Sequence, residues 1–363
     1  MPRILFIASH RLDRSPSQRF RFEQYFHFLE ANGFNCDFSF LISERDDRIF
    51  YKPGRMLRKS LIFLKGSYRR LRDVWRGRKY DIIFVQREAF MTGSMIFERL
   101  FAMSKAKLVF DFDDAIWRHD VSHANRKLGW LKDAGKTGKI IAMSDLVIAG
   151  NRYLADFASN FNKNVIVIPT TIDTSVYIPE YSISVKEKIV IGWSGSMTTI
   201  RHFELAVPFL KALRNKYGDK LEFRVIGDEN YSNDELGIKG LPWRREDEIV
   251  QLRKFDIGIM PIPDDEWSRG KCGLKGLQYM ALEIATVMSP VGVNTEIIRD
   301  GINGFLADKE EEWVHKLSVL IEDEKLRRSL GMEARKTVEA EYSVNSQQFA
   351  YLSAFNNLLK EKN

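Results

Sequence analysis

The chain has 363 residues, of which 44% are hydrophobic and 29% are charged, a composition typical of soluble globular proteins. This length predicts two domains, because a single hydrophobic core rarely extends so far. Two cysteines, Cys36 and Cys272, exclude a disulfide framework, and no apolar run approaches the ~20 residues that cross a bilayer. We therefore expect a cytoplasmic protein.

The net charge of +7 is unevenly distributed along the chain. Residues 1–180 contain 30 Lys and Arg against 20 Asp and Glu, whereas the remaining residues contain 26 and 29. Much of the excess lies in residues 52–79, which hold 11 basic residues and one acid, Asp73. The basic character therefore belongs to a local patch and not to the whole molecule.

The first half of the chain alternates between short apolar runs and segments of helical periodicity. Strands are predicted at Arg3–Ser9, Asn35–Leu41, Asp81–Val85, Leu108–Phe112, Leu146–Ala149 and Val165–Pro169. Helices are predicted at Ser17–Asn32, Arg55–Arg76, Met91–Ser104, Lys127–Ser144 and Tyr153–Phe161. Residues Thr170–Lys188 lack periodicity and are rich in Thr, Ser, Pro and charge, which is typical of a linker.

The helix predicted over Arg55–Arg76 combines basic flanks with an apolar stripe. The stripe consists of Met56, Leu57, Leu61, Leu64, Tyr68, Leu71 and Trp75. We favour contact with an anionic membrane surface, which would make the protein peripheral on the inner face of the membrane. The alternative is an ordinary amphipathic helix with its charges in water. Nucleic acid is disfavoured, because no nucleic-acid module is recognisable and the second half is acidic.

The second half repeats the alternation. Strands are predicted at Ile189–Trp193, Leu221–Ile226, Ile238–Leu241, Asp256–Met260, Thr286–Ser289 and Gly304–Ala307. Helices are predicted at His202–Tyr217, Arg245–Lys254, Gly273–Glu283, Glu311–Ile321, Glu324–Tyr342 and Val344–Lys360. Strand–helix alternation predicts an α/β fold of two Rossmann-like domains, whose parallel sheets bind ligands at the carboxyl ends of their strands, across a central cleft. The expected domains are 1–172 and 173–343, with the helix 344–363 packing back onto the first.

Two glycine-containing turns of the second half suit a phosphate ligand. One lies within Arg269–Ala281 and the other within Ser289–Leu306, and both follow predicted strands. A diphosphate with a group at each end, as in a nucleotide-sugar, would fit such a pair of turns. Neither the G-x-G-x-x-G fingerprint of dinucleotide sites nor the G-x-x-x-x-G-K-[ST] phosphate loop occurs in the chain.

Several residues near these turns are candidates for binding the diphosphate. Gly195 and Ser196 form a turn between a strand and a helix, where backbone N–H groups can face phosphate oxygens. Arg201, Lys271 and Lys275 would supply complementary charge. The alternative for the two lysines is a solubilising surface role, which we disfavour because apolar residues interleave with them.

Acidic residues lie at the end of the predicted strand Leu108–Phe112 and directly after it. Asp111 and Asp113 lie on one side of the chain, with Asp114 next to them. These carboxylates could bind a divalent metal, could orient a sugar hydroxyl or stabilise positive charge on a sugar ring, or could simply cap a helix. We favour a functional role for at least one of them, because capping needs fewer acids.

Taken together, these features resemble those of the retaining GT-B-fold glycosyltransferases related to glycogen and sucrose synthases, family four of the sequence classification. The resemblance covers nearly the whole chain and is strongest over Ile189–Leu306. It rests on the block Ser289–Leu306, on Ile168–Asp173, and on Phe255–Pro261 before the glycine-rich loop. It implies a sugar donor on the second domain and no resident cofactor or metal ion.

The resemblance also implies roles for individual residues. Donor contacts are implied for Gly195, Ser196, Arg201, Lys271, Lys275, Gln278, Gly292, Val293, Asn294 and Glu296. Asp113 and Asp114 correspond to the family's His-Asp pair of the first domain and are the candidate catalytic residues. Gln278 and Gly270 stand where the family has two glutamates, so the first sugar contact has no equivalent. Glu283 stands where the family has glycine, so this residue adopts a left-handed conformation or the turn differs.

The sequence thus predicts a retaining glycosyltransferase that is independent of metal. The donor would be a UDP- or GDP-linked sugar, and the acceptor a glycan or lipid-linked molecule in the synthesis of a cell-surface polysaccharide or glycoconjugate. Two alternatives stay open: a nucleotide-sugar 2-epimerase on the same fold, and a non-catalytic subunit that binds a nucleotide-sugar.

Overall fold

The computed structural model describes residues 1–52, 54–118, 133, 135–180 and 187–360. The chain divides into two compact units. Unit 1 comprises residues 1–170 together with 347–363, and unit 2 comprises residues 171–346.

Unit 1 contains a parallel sheet of six strands in the order β2-β1-β3-β4-β5-β6. The strands are β1 Arg3–His10, β2 Asn35–Ile42, β3 Ile82–Gln86, β4 Lys107–Phe112, β5 Leu146–Ala149 and β6 Val165–Val167. Its central strands are apolar on both faces because helices cover the sheet on both sides. The expected parallel α/β fold is confirmed.

Seven helices lie in residues 1–170 of unit 1. They are α1 Pro16–Arg19, α2 Phe26–Ala31, α3 Glu44–Phe50, α4 Met56–Gly77, α5 Ile96–Ala102, α6 Lys136–Met143 and α7 Arg152–Ser159. This count covers the described residues, and the first part of the predicted helix Lys127–Ser144, residues 127–132 and 134, lies outside them. The prediction of one continuous helix over Ser17–Asn32 is wrong: α1 and α2 are separated by a 3-10 turn at Glu23–Tyr25.

Helix α4 has the reverse of the usual orientation for an amphipathic helix. Its buried residues include Lys59, Arg70 and Asp73, while the seven residues of the predicted apolar stripe are 52–86% exposed. Arg70 accounts for this orientation, because its guanidinium donates to the carbonyl oxygens of Ala8 at 2.7 Å and Ala89 at 2.6 Å. The apolar stripe is therefore not packed inward as in an ordinary amphipathic helix, whereas the flanking charges of Arg58, Lys65 and Arg72 are exposed to water as that alternative expects.

Unit 2 contains a parallel sheet in the order β13-β12-β11-β7-β8 and a separate antiparallel pair, β9 and β10. The strands are β7 Ile189–Ser194, β8 Leu221–Ile226, β9 Ser232–Asn233, β10 Ile238–Lys239, β11 Ile257–Met260, β12 Ala285–Met288 and β13 Phe305–Leu306. In the order β12-β11-β7, the carboxyl ends of three neighbouring strands meet at one edge of the sheet. This edge is the expected ligand site of such a fold.

The helices of unit 2 cover both faces of that sheet. They are α8 Ile200–Glu204, α9 Val207–Tyr217, α10 Glu248–Leu252, α11 Glu266–Arg269, α12 Leu274–Ala281, α13 Asn294–Ile297, α14 Glu310–Glu322 and α15 Glu324–Glu341. Phe209 of α9 stacks on Trp313 of α14 with ring centroids 4.7 Å apart, which joins two helices on one face. At the end of α12, Glu283 has a φ of 58°, so of the two alternatives for this turn the structure has the left-handed conformation.

The last helix, α16 Val344–Lys360, belongs mostly to unit 1. Its Tyr351 hydroxyl donates to the carbonyl oxygen of Arg21 at 2.8 Å, and its ring lies 4.5 Å from the ring of Tyr25. Phe355 continues the contact against Phe34. The C-terminal segment therefore completes the aromatic core of the unit that begins the chain.

Within the described residues, none of the helices combines the length and the apolar character required to cross a bilayer.

Candidate functional site

Three loops of unit 2 meet at the carboxyl edge of its sheet. They follow β7, β11 and β12, which are neighbours in the sheet. The backbone N–H of Ile262, after β11, donates to the Ser289 hydroxyl, after β12, at 3.0 Å. The sequence-predicted turns at Gly195 and Gly292 belong to the first and third of these loops.

The turn after β7 requires glycine. A Cβ atom at Gly195 would lie 2.1 Å from the indole ring of Trp193. Its N–H donates to the carbonyl oxygen of Ile226 at 2.8 Å, and the N–H of Ser196 donates to the Thr199 hydroxyl at 3.0 Å. Both amides thus have protein partners, and a phosphate would reach the Ser196 N–H only by displacing the Thr199 hydroxyl.

A cationic cluster, formed by Arg201, Lys271 and Lys275, lies near one histidine, His202, at this edge. Burial and, to a smaller extent, the positive charges of Lys275, Lys271 and Arg201 together lower the pKa of His202 from 6.5 to about 4. His202 is 3% exposed, while Arg201 is exposed and both lysines are half-buried. Three cations from two separate loops therefore converge on a small region of unit 2.

Aromatic rings hold the two lysines of the cationic cluster. The Nζ atom of Lys275 lies 4.7 Å from the ring centroid of Trp193, and that of Lys271 lies 4.5 Å from the ring centroid of Trp267. Each ring attracts the ammonium group by its quadrupole. The lysines are thus placed by contacts within the chain before any ligand arrives, as electrostatic preorganisation requires.

Buried polar atoms without a hydrogen-bond partner among the described residues occur in each of the three segments. They are Trp193 Nε1 in β7, Ser268 Oγ in α11 and Asn294 Oδ1 after β12. Buried polar groups are nearly always satisfied in folded proteins. These three buried atoms are exceptions to that rule, and all of them belong to segments at the carboxyl edge of the sheet.

The turn after β12 also depends on glycine. Gly292 has a φ of 55°, and a Cβ atom there would lie 2.7 Å from the carbonyl oxygen of Arg269. Val293 and Asn294 are buried, and the Asn294 side-chain amide donates to the Ser289 carbonyl oxygen at 2.9 Å. Glu296, one turn later in α13, is exposed.

Gln278 takes part in a buried network inside unit 2. Its amide nitrogen lies 2.9 Å from the Tyr177 hydroxyl and 3.2 Å from a carboxylate oxygen of Glu248. Tyr177 and the Trp243 indole also donate to Glu248, at 2.7 and 2.8 Å. The Gln278 amide nitrogen is therefore committed to partners within the protein.

In unit 1, Asp111 is fully buried against Arg21. The Arg21 Nη2 atom donates to Asp111 Oδ1 at 2.6 Å, and Arg21 also donates to the Ile168 carbonyl oxygen. Burial raises the pKa of Asp111, and the Arg21 charge opposes that shift. Asp111 thus acts as the counter-charge of a buried arginine, which supports a structural role.

Asp113 and Asp114, the two candidate catalytic residues, share one arginine. Arg87 donates from Nε to Asp113 Oδ1 at 2.8 Å and from Nη2 to Asp114 Oδ2. Burial raises the pKa of Asp113, and the Arg87 charge opposes the rise. Arg87 has a φ of 62°, an uncommon conformation outside glycine that recurs at functional sites.

Sequence reasoning missed several of these groups. Arg87, His202 and Tyr177 were not singled out, although Arg87 follows β3 directly, beside the strand that leads to the acids. A buried carboxylate pair requires a counter-charge, and a cation at the end of the adjacent strand is the available signal. The pattern gives no comparable signal for Tyr177, which is distant from Gln278 in sequence.

Comparison with known families and structures agrees with this architecture. Residues 188–323 match the family described as glycosyl transferases group 1, a region that contains the three loops and the cationic cluster. No curated protein sequence is significantly similar to the chain.

Solved structures resemble the chain along its whole length. The sucrose-phosphate synthase of Thermosynechococcus elongatus has a TM-score of 0.70 at 11% identity and covers 99% of this chain and 100% of its own. A Rickettsia africae glycosyltransferase has a TM-score of 0.69 at 13% identity, with 99% of each chain covered. Anabaena HepE, in complex with UDP and glucose, has a TM-score of 0.68 at 14% identity and covers 98% of this chain and 100% of its own.

At such identities the structural similarity establishes the fold, which is GT-B. The group 1 match over unit 2 supports a glycosyltransferase.

Proposed function

We propose that the chain is a retaining glycosyltransferase that moves a sugar from a nucleoside diphosphate sugar to a glycan or lipid-linked acceptor, in the synthesis of a cell-surface polysaccharide or glycoconjugate. The observation that carries this proposal is the cationic cluster near His202, at the carboxyl edge of the unit 2 sheet. The group 1 match over the same region supports it, as does the similarity to HepE, whose structures contain UDP and UDP-glucose.

In this proposal the cationic cluster binds the diphosphate of the donor. The bond between the anomeric carbon and the diphosphate oxygen breaks, and the nucleoside diphosphate leaves with the bonding electrons. The acceptor oxygen bonds to the same carbon, and its proton passes to the departing diphosphate. Arg201, Lys271 and Lys275 stabilise the negative charge that develops on the leaving group. Asp113 and Asp114 are proposed to contact the sugar or the acceptor.

These cations also bear on the metal requirement. Since positive charge is supplied by side chains, we propose that transfer needs no divalent metal ion. Addition of EDTA is then expected to leave the rate unchanged, whereas a loss of activity that Mg²⁺ or Mn²⁺ restores would contradict this part of the proposal.

One observation favours a second candidate, a subunit that binds a nucleotide-sugar without turning it over. The amide nitrogen of Gln278, which stands where related enzymes are expected to carry a glutamate, is committed to Tyr177 and Glu248. A donor sugar would then lack one polar contact.

Thermal unfolding with UDP- and GDP-linked sugars tests the proposal, since a ligand that binds the native state raises the apparent melting temperature. We expect one donor to stabilise the chain and to be hydrolysed slowly in the absence of acceptor. Stabilisation without any turnover, across a panel of acceptors, would favour the binding subunit. If none of the nucleotide-sugars binds, both candidates are wrong.

A further inference from the structure

Helix α4 presents an apolar stripe to solvent along its whole length. Leu57, Leu61, Leu64, Tyr68, Leu71 and Trp75 follow each other at intervals of three or four residues and are 56–86% exposed. Singly exposed apolar residues are common on protein surfaces, but a contiguous series on one helix is a mark of an interaction surface.

The charged residues that α4 exposes beside the stripe have one sign, although Lys65 also pairs with the buried Asp46 of α3 at 3.6 Å. Arg58, Lys65 and Arg72 are exposed and lie seven residues apart, so they form a row along one flank of the helix. The one acid of residues 52–79, Asp73, is fully buried and paired with Arg70 at 2.9 Å. The outward side of α4 therefore combines apolar and cationic side chains and carries no exposed carboxylate.

Helix α4 is held in this orientation by the polar residues on its inner side. Arg70 Nη1 donates to the Ser39 hydroxyl at 3.1 Å as well as to Asp73, and Ser39 donates to Asp73. Rotating the helix to bury the stripe would break the bonds from Arg70 to Ser39 and to the carbonyl oxygens of Ala8 and Ala89, and would leave these acceptors without that donor. The exposure of the stripe is thus fixed by the fold of unit 1.

We propose that the outward side of α4 binds the surface of an anionic lipid bilayer, with the apolar stripe in the acyl boundary and the cationic row at the headgroups. Helices with this division of residues lie in the plane of the bilayer interface. A second copy of the chain fits less well, because a symmetric contact would bring two cationic rows together without exposed acids to neutralise them. This inference does not depend on the transferase activity.

Sedimentation of the full chain with vesicles tests the proposal. We expect binding to vesicles of phosphatidylcholine with phosphatidylglycerol, weak binding to phosphatidylcholine alone, and a loss of affinity as salt rises. The double variant Arg58→Gln/Arg72→Gln should bind about twenty-fivefold more weakly, since each lost charge weakens binding about fivefold. The matched control is Arg244→Gln/Arg328→Gln, which removes two exposed arginines of unit 2.

The apolar stripe is tested separately. Leu64→Gln/Leu71→Gln should weaken vesicle binding at least about tenfold, while Leu205→Gln, at an exposed leucine outside α4, should not. Trp75 supplies a direct readout: brominated lipids should quench its fluorescence, and the quenching should be lost in Trp75→Phe. Unchanged melting temperatures would show that the variants are folded.

Two results would overturn the proposal. The first is that the wild-type chain sediments equally with vesicles that contain phosphatidylglycerol and with vesicles that lack it, or that the leucine substitutions leave vesicle binding unchanged. The other is a concentration-dependent dimer in solution that Leu64→Gln/Leu71→Gln dissociates, without vesicle binding, which would assign the stripe to a second copy. Thermal shifts with nucleotide-sugars are measured without vesicles. Either result would therefore overturn membrane binding without bearing on the proposed transferase function.

Discussion

His202 reports whether a negatively charged ligand binds among the three cations of unit 2. The perturbation is the addition of UDP to the folded chain. Without ligand, burial and then the charges of Lys275, Lys271 and Arg201 hold the pKa of His202 at about 4, below its ordinary value of 6.5. A diphosphate bound to those cations would offset their effect, so the pKa of His202 should rise.

The size of the rise has limits that follow from the structure. Burial is the largest cause of the low pKa and persists in the complex, so the new value should stay below 6.5. We expect a rise of about one pKa unit, the scale of a nearby opposite charge. One unit corresponds to about 1.4 kcal/mol. By reciprocity, UDP should bind about tenfold more tightly when His202 is protonated than when it is neutral.

Proton NMR of the histidine rings as a function of pH, with and without saturating UDP, measures this shift. His202→Gln identifies the resonance. His10 is a matched internal control, because burial and the charge of Arg14 also lower its pKa to about 4, and it lies in unit 1. A pKa of His202 that stays at its free value while UDP is bound would place the diphosphate elsewhere and refute the assignment of the cationic cluster.

Three further predictions concern binding and stability. Lys271→Ala and Lys275→Ala should each weaken UDP binding by about 1.5–3 kcal/mol, as expected for hydrogen bonds to charged groups, and calorimetry that finds unchanged affinity in both would remove them from the site. Gly195→Ala should lower the free energy of unfolding by about 1–3 kcal/mol, because the added methyl group overlaps a neighbouring indole ring, and an unaltered urea midpoint would contradict this. Asp111→Asn should cost about 3–5 kcal/mol in urea unfolding, since it leaves the buried Arg21 without its counter-charge, and a loss within about 1 kcal/mol would show that the pair is not buried as described.

The positions of the strands could largely be predicted from the sequence, because buried parallel strands are short apolar runs bounded by polar turns. Leu146–Ala149 and Leu221–Ile226 have the predicted bounds. Helix breaks are harder to predict, as Ser17–Asn32 illustrates, because the 3-10 turn within it keeps the apolar spacing of a helix.

The orientation of α4 shows what periodicity leaves undetermined. A stripe at helical spacing identifies an apolar side, but it does not establish that this side is buried. In unit 1 the hydrogen bonds of Arg70 determine which side of α4 is buried, and its partners Ala8, Ser39 and Ala89 come from distant parts of the chain. Hydrogen bonds between residues so far apart in sequence cannot be predicted from local sequence patterns.

In the candidate site, too, some features have a local sequence signal and others depend on contacts that only the fold creates. Glycine turns and lysines at strand ends are local signals, so the sequence could single out Gly195, Gly292 and the two lysines. The commitment of Gln278 to Tyr177 and Glu248 depends on residues that the fold brings together from more than twenty positions away. Side-chain partners of this kind require the structure.

The return of the chain into unit 1 makes unit 2 a nested insertion. Its two ends run side by side, since the Ile172 N–H donates to the Tyr342 carbonyl oxygen at 2.8 Å and the Val344 N–H donates to the Ile172 carbonyl oxygen at 3.1 Å. Residues 171–346 could therefore be excised or exchanged as a cassette whose entry and exit points coincide. A C-terminal deletion would instead strip Tyr351 from the aromatic core near the N-terminus, so the two halves of this protein cannot be separated by a single cut.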